Sequence, residues 1–474
     1  MSTTYPATTA NAEIILMKPG HARETRGRGS FLASLILMVG LLFFAPLPFG
    51  SVQPWAWGAM SILVLVSLVL WALAGARQGE VKVLLSPLYV PAALFLLLAA
   101  IQYWGRLTVD PVSTRESLIK LAIDLVLFFL AGQLLAAGPE KTRAYFGLSV
   151  CVYGFGLALF AILQFFSSQG TVYWAVEPRW GGWVFGPYVN HNHYAGLMEI
   201  LIPIAAAYVL SRPQKDGARA LLGFAILVPL ASLLLSGSRG GVISLLAEIL
   251  IFGVVVQMSA RGSGLRNVSA PVALGVIMTV LLFFWMDSGG ITRRLENILN
   301  TMHSSEASFA ERKKAAIDSL RIVRERPWIG AGLGSFETVF PRYRSFPTDE
   351  QWDHAHNDYA EALAETGVVG GLLILVALVS FFRVAFRNLR ERLQTDVGWI
   401  QFGAALGCCG LLVHSLSDFN LHIPANAAWF AVSAGLACHP GVPLEATSGP
   451  GKTEGTSGFE FPRTHTSRVA REGW

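Results

Sequence analysis

Apolar residues fall in long, nearly unbroken runs at about 31–49, 55–76, 86–105, 117–137, 143–166, 191–210, 219–236, 240–258, 269–287, 361–382, 398–416 and 421–438. Each run is close to the ~20 apolar residues that a helix needs to cross the hydrocarbon core of a bilayer. The pattern predicts an all-α polytopic membrane protein with about twelve transmembrane helices. Five regions follow: a polar tail (1–30), spans one to nine (31–287), a long hydrophilic loop (288–360), spans ten to twelve (361–438) and a second tail (439–474). The first run has no small-residue cleavage site after it and is read as an uncleaved span. The second tail is rich in Gly, Ser, Thr and Pro and is expected to be disordered, with no core available to it.

Composition supports this class. Hydrophobic residues make up 53% of the 474 positions and charged residues only 14%, where a soluble domain carries about a quarter charged. A mean hydropathy of +0.50 excludes a soluble enzyme, a disordered protein and a DNA-binding protein. The pI near 9.0 has a topological origin. With the N-terminus inside, the inner segments hold 21 of the 36 Lys and Arg residues, as the positive-inside rule requires. The short outer loops hold few. The remainder lie in 288–360, and long loops are exempt from the rule. Cys151, Cys408, Cys409 and Cys438 sit in or beside apolar runs and read as small core residues.

This orientation gathers 167–190, 237–239 and 288–360 on the outer face. Within 288–360, Phe309, Ala310, Ile317, Leu320 and Val323 recur at helical spacing with Arg and Lys between them, which predicts an amphipathic helix on the membrane surface. Pro327 ends it. Gly330, Gly332 and Gly334 follow in PWIGAGLGSF, a spacing that lets backbone N–H groups approach an anion. The pairs His354/His356 and His191/His193 each open an apolar run. No further ligand is evident for a metal, so neither a metal nor a cofactor is expected. A histidine side chain titrates near ~6.5 in water and suits general-base work around neutral pH. Arg179, in EPRWGGW, is a candidate phosphate contact beside Trp180 and Trp183. Within the spans, Lys120 and Asp124 stand at i, i+4 and are expected to pair. Glu199 and Glu248 are expected to be protonated and bonded to a neighbouring helix.

Four stretches resemble the O-antigen ligase and polymerase superfamily of bacterial membrane glycosyltransferases. They are GPYVNHNHYAG (186–196), SGSRGG (236–241), Arg312 leading through a helix to PWIGAGLGSF, and His356-Asn357 followed by Gly367-x-x-Gly370. The segment HSLSDFNLHIPANA (414–427) is similar to members as well. The resemblance covers about 185–435. Lys313, Lys314 and Ala315 follow Arg312 where the family pattern has an aromatic or aliphatic residue nearby.

The resemblance implies transfer of a glycan from an undecaprenyl diphosphate carrier to an acceptor hydroxyl at the periplasmic face of the bacterial inner membrane. The acceptor is lipid A core, another glycan or a protein, and no nucleic acid is involved. It implies catalytic roles for His356 as base and for Arg239 and Arg312 as diphosphate clamps. Asn190, Asn192, His193, Arg179, His354 and Asn357 are expected to bind substrate. Ligase, polymerase and protein O-oligosaccharyltransferase share this donor chemistry. A polysaccharide transporter or flippase and a non-catalytic scaffold are the rival classes. A transporter would concentrate its polar residues near the bilayer midplane, whereas these gather at one face.

Overall fold

In the computed structural model the described residues are 13–15, 24–79, 81–178, 183–211, 216–259, 309–347, 352–392 and 395–439. The ninth apolar run (269–287), Arg179, Trp180 and the tail beyond His439 lie outside them. A two-stranded antiparallel ribbon, β1 (Glu13–Ile15) with β2 (Lys82–Leu84), is the only sheet among the described residues. The rest of the regular structure is helical. In order come α1 (Glu24–Phe44), α2 (Pro54–Gln78), α3 (Tyr89–Trp104), α4 (Pro111–Ala131), α5 (Glu140–Ser167), α6 (His191–Leu210), α7 (Asp216–Leu235) and α8 (Arg239–Ser259). Then follow α9 (Phe309–Glu325), α10 (Asp358–Arg392), α11 (Asp396–His414) and α12 (Pro424–Cys438).

Every predicted run within the described residues coincides with a helix, and α9 is the helix expected in the hydrophilic block. Among the described residues, six helices are long and apolar enough to cross a membrane by length and composition: Gly27–Phe44, Pro54–Gln78, Pro111–Ala136, Lys141–Ser167, His191–Leu210 and Asp358–Arg392. The protein is therefore a mostly helical, polytopic membrane protein. Starts are set by local chemistry. Asp110 caps α4 by accepting from Val112 and Ser113 N–H, with Pro111 at the first helical position, and Thr395 caps α11 through Gly398 N–H.

The interior is organised around α6, which is buried nearly all round and packs against α5, α7, α8 and α11. Gly403 and Gly407 on α11 face the α6 backbone. A Cβ at Gly403 would come within 2.6 Å of the Pro203 carbonyl, and one at Gly407 within 2.8 Å of Ile200 Cα. Small residues one turn apart let two membrane helices approach this closely. The approach brings His414, at the end of α11, to Glu199 on α6. In contrast, α2 and α5 turn Ile62 (64% exposed), Val69 (63%) and Val152 (63%) outward, as a lipid-facing surface requires.

α9 packs on α10. Ala315, Asp318, Ser319 and Ile322 are buried, while Ile317 and Leu320 face outward at 52% and 46% exposure. Ala315 and Ser319 are small enough to let the helix settle onto the aromatic cluster Phe336, Phe340, Phe346 and Trp352. Asp318 is satisfied there by accepting from Ser345 N–H at 2.7 Å and pairing with Arg321 at 3.3 Å.

Candidate active site

The glycine loop meets a break in α10. Gly367 has φ 63° and ψ −165°, interrupting the helix, and Gly330 has φ +69°. The two chains interlock through their backbones. Ala331 and Gly332 N–H donate to Ala364 O and Glu365 O at 2.9 Å each. In return, Val368 and Val369 N–H donate to Pro327 O (2.7 Å) and Trp328 O (3.1 Å). Gln102 on α3, wholly buried, completes the splice by donating to Ile329 O and Glu365 O and accepting from Leu333 N–H. The Gly332 amide, one of those the glycine spacing offers to an anion, is thus committed to the α10 backbone. The role of these glycines is to let two chains touch. No signal in the first half of the sequence marks Gln102.

The splice fixes the start of α10 beside the loop joining α11 to α12. Asn357 caps α10 by accepting from Ala360 N–H at 2.9 Å, and its Nδ2 donates to Leu416 O at 2.8 Å. Asp358 N–H donates to Ser415 O at 3.0 Å, and the Asp358 carboxylate accepts from Ser415 Oγ at 2.6 Å. These contacts hold Asp418, a fully buried carboxylate that the sequence analysis did not single out. Three predicted residues converge on it: His356 Nδ1 at 3.5 Å, Arg312 Nη1 at 3.6 Å and His193 Nε2 at 3.7 Å. Burial pushes the Asp418 pKa up, but the facing His193 and His356 rings and the Arg312 guanidinium outweigh it and hold the group well below the usual carboxylate range. The side chain is therefore an anion at neutral pH.

Four polar atoms of this cluster are buried without a hydrogen-bond partner: Arg312 Nε, His193 Nε2, His356 Nδ1 and Asp418 Oδ2. Orphaned buried polar groups are rare in native folds and call for an explanation. His356 is also strained, with φ +50° in a non-glycine residue, a conformation that costs on the order of 1–2 kcal/mol. Glu361 secures the segment by accepting from Ala355 N–H at 2.7 Å and from His354 Nδ1 at 2.7 Å.

The remaining candidates are placed as follows. Asn190 caps α6, its side chain accepting from Asn192 N–H at 2.8 Å, and Asn192 is buried in the first turn. Arg239 is the exposed first residue of α8. Its neighbour Gly240 packs directly on His414 and Ser417, so Arg239 borders the loop that carries Asp418. Trp183 is engaged in packing, stacked on His191 at 5.1 Å. Lys120 lies over the Trp57 ring at 5.6 Å, and Lys120 and Asp124, one turn apart on α4, line a cavity. Deeper, His414 Nδ1 and Glu199 Oε1 share a hydrogen bond of 2.7 Å, a cross-helix bond of the kind expected for that glutamate.

His354 belongs to a second group. It stacks on Phe419 at 4.3 Å and lies 4.5 Å from the His422 ring. His422, also not anticipated, donates from Nδ1 to Asp358 Oδ1 at 2.8 Å. Burial pulls its pKa down, but Glu361 and Asp358 beside it push it up overall. This group opens onto the cavity, about 340 Å³ in volume.

Residues 196–375 match the family model described as O-Antigen ligase. Over that stretch, which is less than half of its length, the chain resembles that family. The matched segment contains Arg239, Arg312, His354, His356 and Asn357. It begins just after His193 and ends before Asp418, so the cluster is completed by residues on both sides of it. No curated protein matches the chain.

Proposed function

We propose that this protein transfers a glycan from an undecaprenyl diphosphate carrier to an acceptor hydroxyl, as a ligase acting at the periplasmic face of the bacterial inner membrane. The observation that carries the reading is the convergence of Arg312, His193 and His356 on a buried anion, with their orphaned polar atoms gathered in one place. The Asp418 carboxylate lies 3.5 Å from His356 Nδ1, so its charge favours the proton on that nitrogen and leaves Nε2 as the base. The acceptor hydroxyl gives its proton to Nε2 as its oxygen bonds to the anomeric carbon. The bond from that carbon to the diphosphate oxygen breaks on the opposite side, inverting the centre, and the diphosphate leaves with the electron pair. Arg312 and Arg239 supply fixed positive charge for it, with the planar fork that holds phosphate oxygens in pairs. The proposed transfer step draws its charge from arginine and needs no metal. Lipid A core, exopolysaccharide or protein acceptors fit the same donor chemistry.

Deleting the gene and resolving surface glycans on gels tests the reading. Long chains left on the carrier support a ligase, and single repeats on the lipid core indicate a polymerase. Unchanged glycans of every kind would overturn transfer altogether. With purified protein, Arg312→Ala is expected to raise KM for the lipid diphosphate donor more than KM for the acceptor. Arg239→Lys is also expected to impair donor use, because a point charge does not replace a bidentate fork. Equal effects on both substrates would remove these arginines from the donor site.

Orientation follows from the distribution of basic residues. A fluorescent reporter fused at Gly451 is expected to be active and a phosphatase silent there, with the reverse at Ser305. The opposite pattern would invert the topology and move the proposed chemistry to the cytoplasmic face.

A further inference from the structure

Three donor atoms lie within 4.8 Å of one another: His354 Nδ1, Glu361 Oε1 and a ring nitrogen of His422. They come from three places in the fold: the segment before α10, the first turn of α10 and the loop before α12. Glu361 Oε1 is 2.7 Å from His354 Nδ1 and 3.3 Å from His422 Nε2. A tetrahedral cation with bonds of about 2.0–2.2 Å to such ligands sets its donor atoms roughly 3.4 Å apart, so the His354–Glu361 pair at 2.7 Å would open slightly to admit it.

The surroundings are those of a metal site rather than of a simple hydrogen-bonded cluster. His422 uses Nδ1 to donate to Asp358 at 2.8 Å, which directs Nε2 toward Glu361. A ligating histidine is ordinarily oriented in this way, by a carboxylate on its other nitrogen. The second oxygen of Glu361 is oriented by Ala355 N–H at 2.7 Å. The cavity that opens on the three donors is also lined by Glu116, Glu337 and Asp353, with Lys120 as its one lysine. That charge repels a diphosphate and attracts a cation, and the volume leaves room for coordinating water.

We propose that His354 Nδ1, Glu361 Oε1 and His422 Nε2 bind one divalent transition-metal ion, with at least one coordination position facing the cavity. Two imidazoles and a carboxylate suit zinc and its neighbours. Magnesium and calcium prefer all-oxygen sets. Binding displaces the protons that bridge these atoms. The ion ties the start of α10 to the loop carrying Asp418 and takes no part in bond making or breaking. The His-x-His pairs visible in the sequence are not the ligand set: His356 and His193 face Asp418 instead.

The test uses the full chain, purified in detergent through a tag without histidines. Metal content is measured as purified. After chelation, Zn²⁺ alone is titrated by calorimetry, and Co²⁺ is followed by its visible absorption. One equivalent is expected to bind, with no competition from millimolar Mg²⁺. Asp358→Asn, which removes the carboxylate orienting His422 while an amide oxygen can still accept from Ser415 Oγ, is expected to weaken binding by about 10–100-fold. His422→Ala and Glu361→Gln are expected to weaken it further, and His356→Ala to leave it unchanged. A wild-type protein that unfolds cooperatively yet takes up no stoichiometric Zn²⁺ or Co²⁺ overturns the proposal. So does binding that survives in His354→Ala, His422→Ala and Glu361→Gln alike. Glycan transfer is not a readout here, so failure of this site leaves the transferase reading intact, and the reverse holds as well.

Discussion

Replacing His356 with alanine is expected to lower turnover by about 10²–10⁴-fold, the usual worth of a positioned general base. The protein should accumulate in the membrane at its normal level. Alanine keeps the Cβ, so the left-handed backbone at φ +50° is no worse strained than before. The segment remains held by Glu361 through Ala355 N–H and by Asp358 N–H on Ser415 O. The loss is confined to a ring whose Nδ1 lies 3.5 Å from Asp418. It should therefore appear in kcat rather than in KM for the carrier. The control is His303→Ala, in the same hydrophilic block but outside every motif. At matched expression, equal turnover by the two variants would remove His356 as the base and leave the transferase reading on family resemblance alone.

Gly367→Ala is expected to have the largest effect on folding. At φ 63°, ψ −165° the residue occupies a region that is essentially reserved for glycine and costs any other residue ~1–3 kcal/mol. A Cβ there would also lie 2.5 Å from Trp328 C and O and 2.6 Å from Ile329 N. These are backbone atoms, which cannot rotate away as a side chain can. Overpacking of this kind adds about 1–3 kcal/mol. Together the two are a large share of the ~5–15 kcal/mol that holds a typical domain. Lower yield of monodisperse protein and a reduced unfolding temperature in detergent are expected. Gly58→Ala on α2 is the control: nothing lies within 4 Å of its added Cβ, and alanine is the better helix former. A Gly367→Ala protein as stable as Gly58→Ala would mean that the break in α10 is not needed for the fold.

Some of this was legible in the sequence because it depends only on near neighbours and solvent. A run of about twenty apolar residues must be helical in lipid, where every backbone group has to be bonded internally. The helices among the described residues accordingly stand where the runs lie. The histidines and arginines that head the runs were visible for the same reason: polar residues at a span's end remain at the membrane surface. Partner choice was not legible. Which face of α9 is buried depends on the aromatic cluster it meets, so its most apolar pair, Ile317 and Leu320, is left outward. His354 and His356 are two residues apart in the chain, yet one pairs with Glu361 and the other faces Asp418. Asp418 and His422 look, by sequence, like polar punctuation between two spans. They become central only because Gly403 and Gly407 let α11 close on α6, and because the break at Gly367 fits α10 to the glycine loop. Periodicity and composition thus determined the elements and which polar residues stand at their ends. The pairing of charges across more than a hundred residues of chain was decided by tertiary packing, since a buried ion is tolerated only where its partners arrive from elsewhere in the fold.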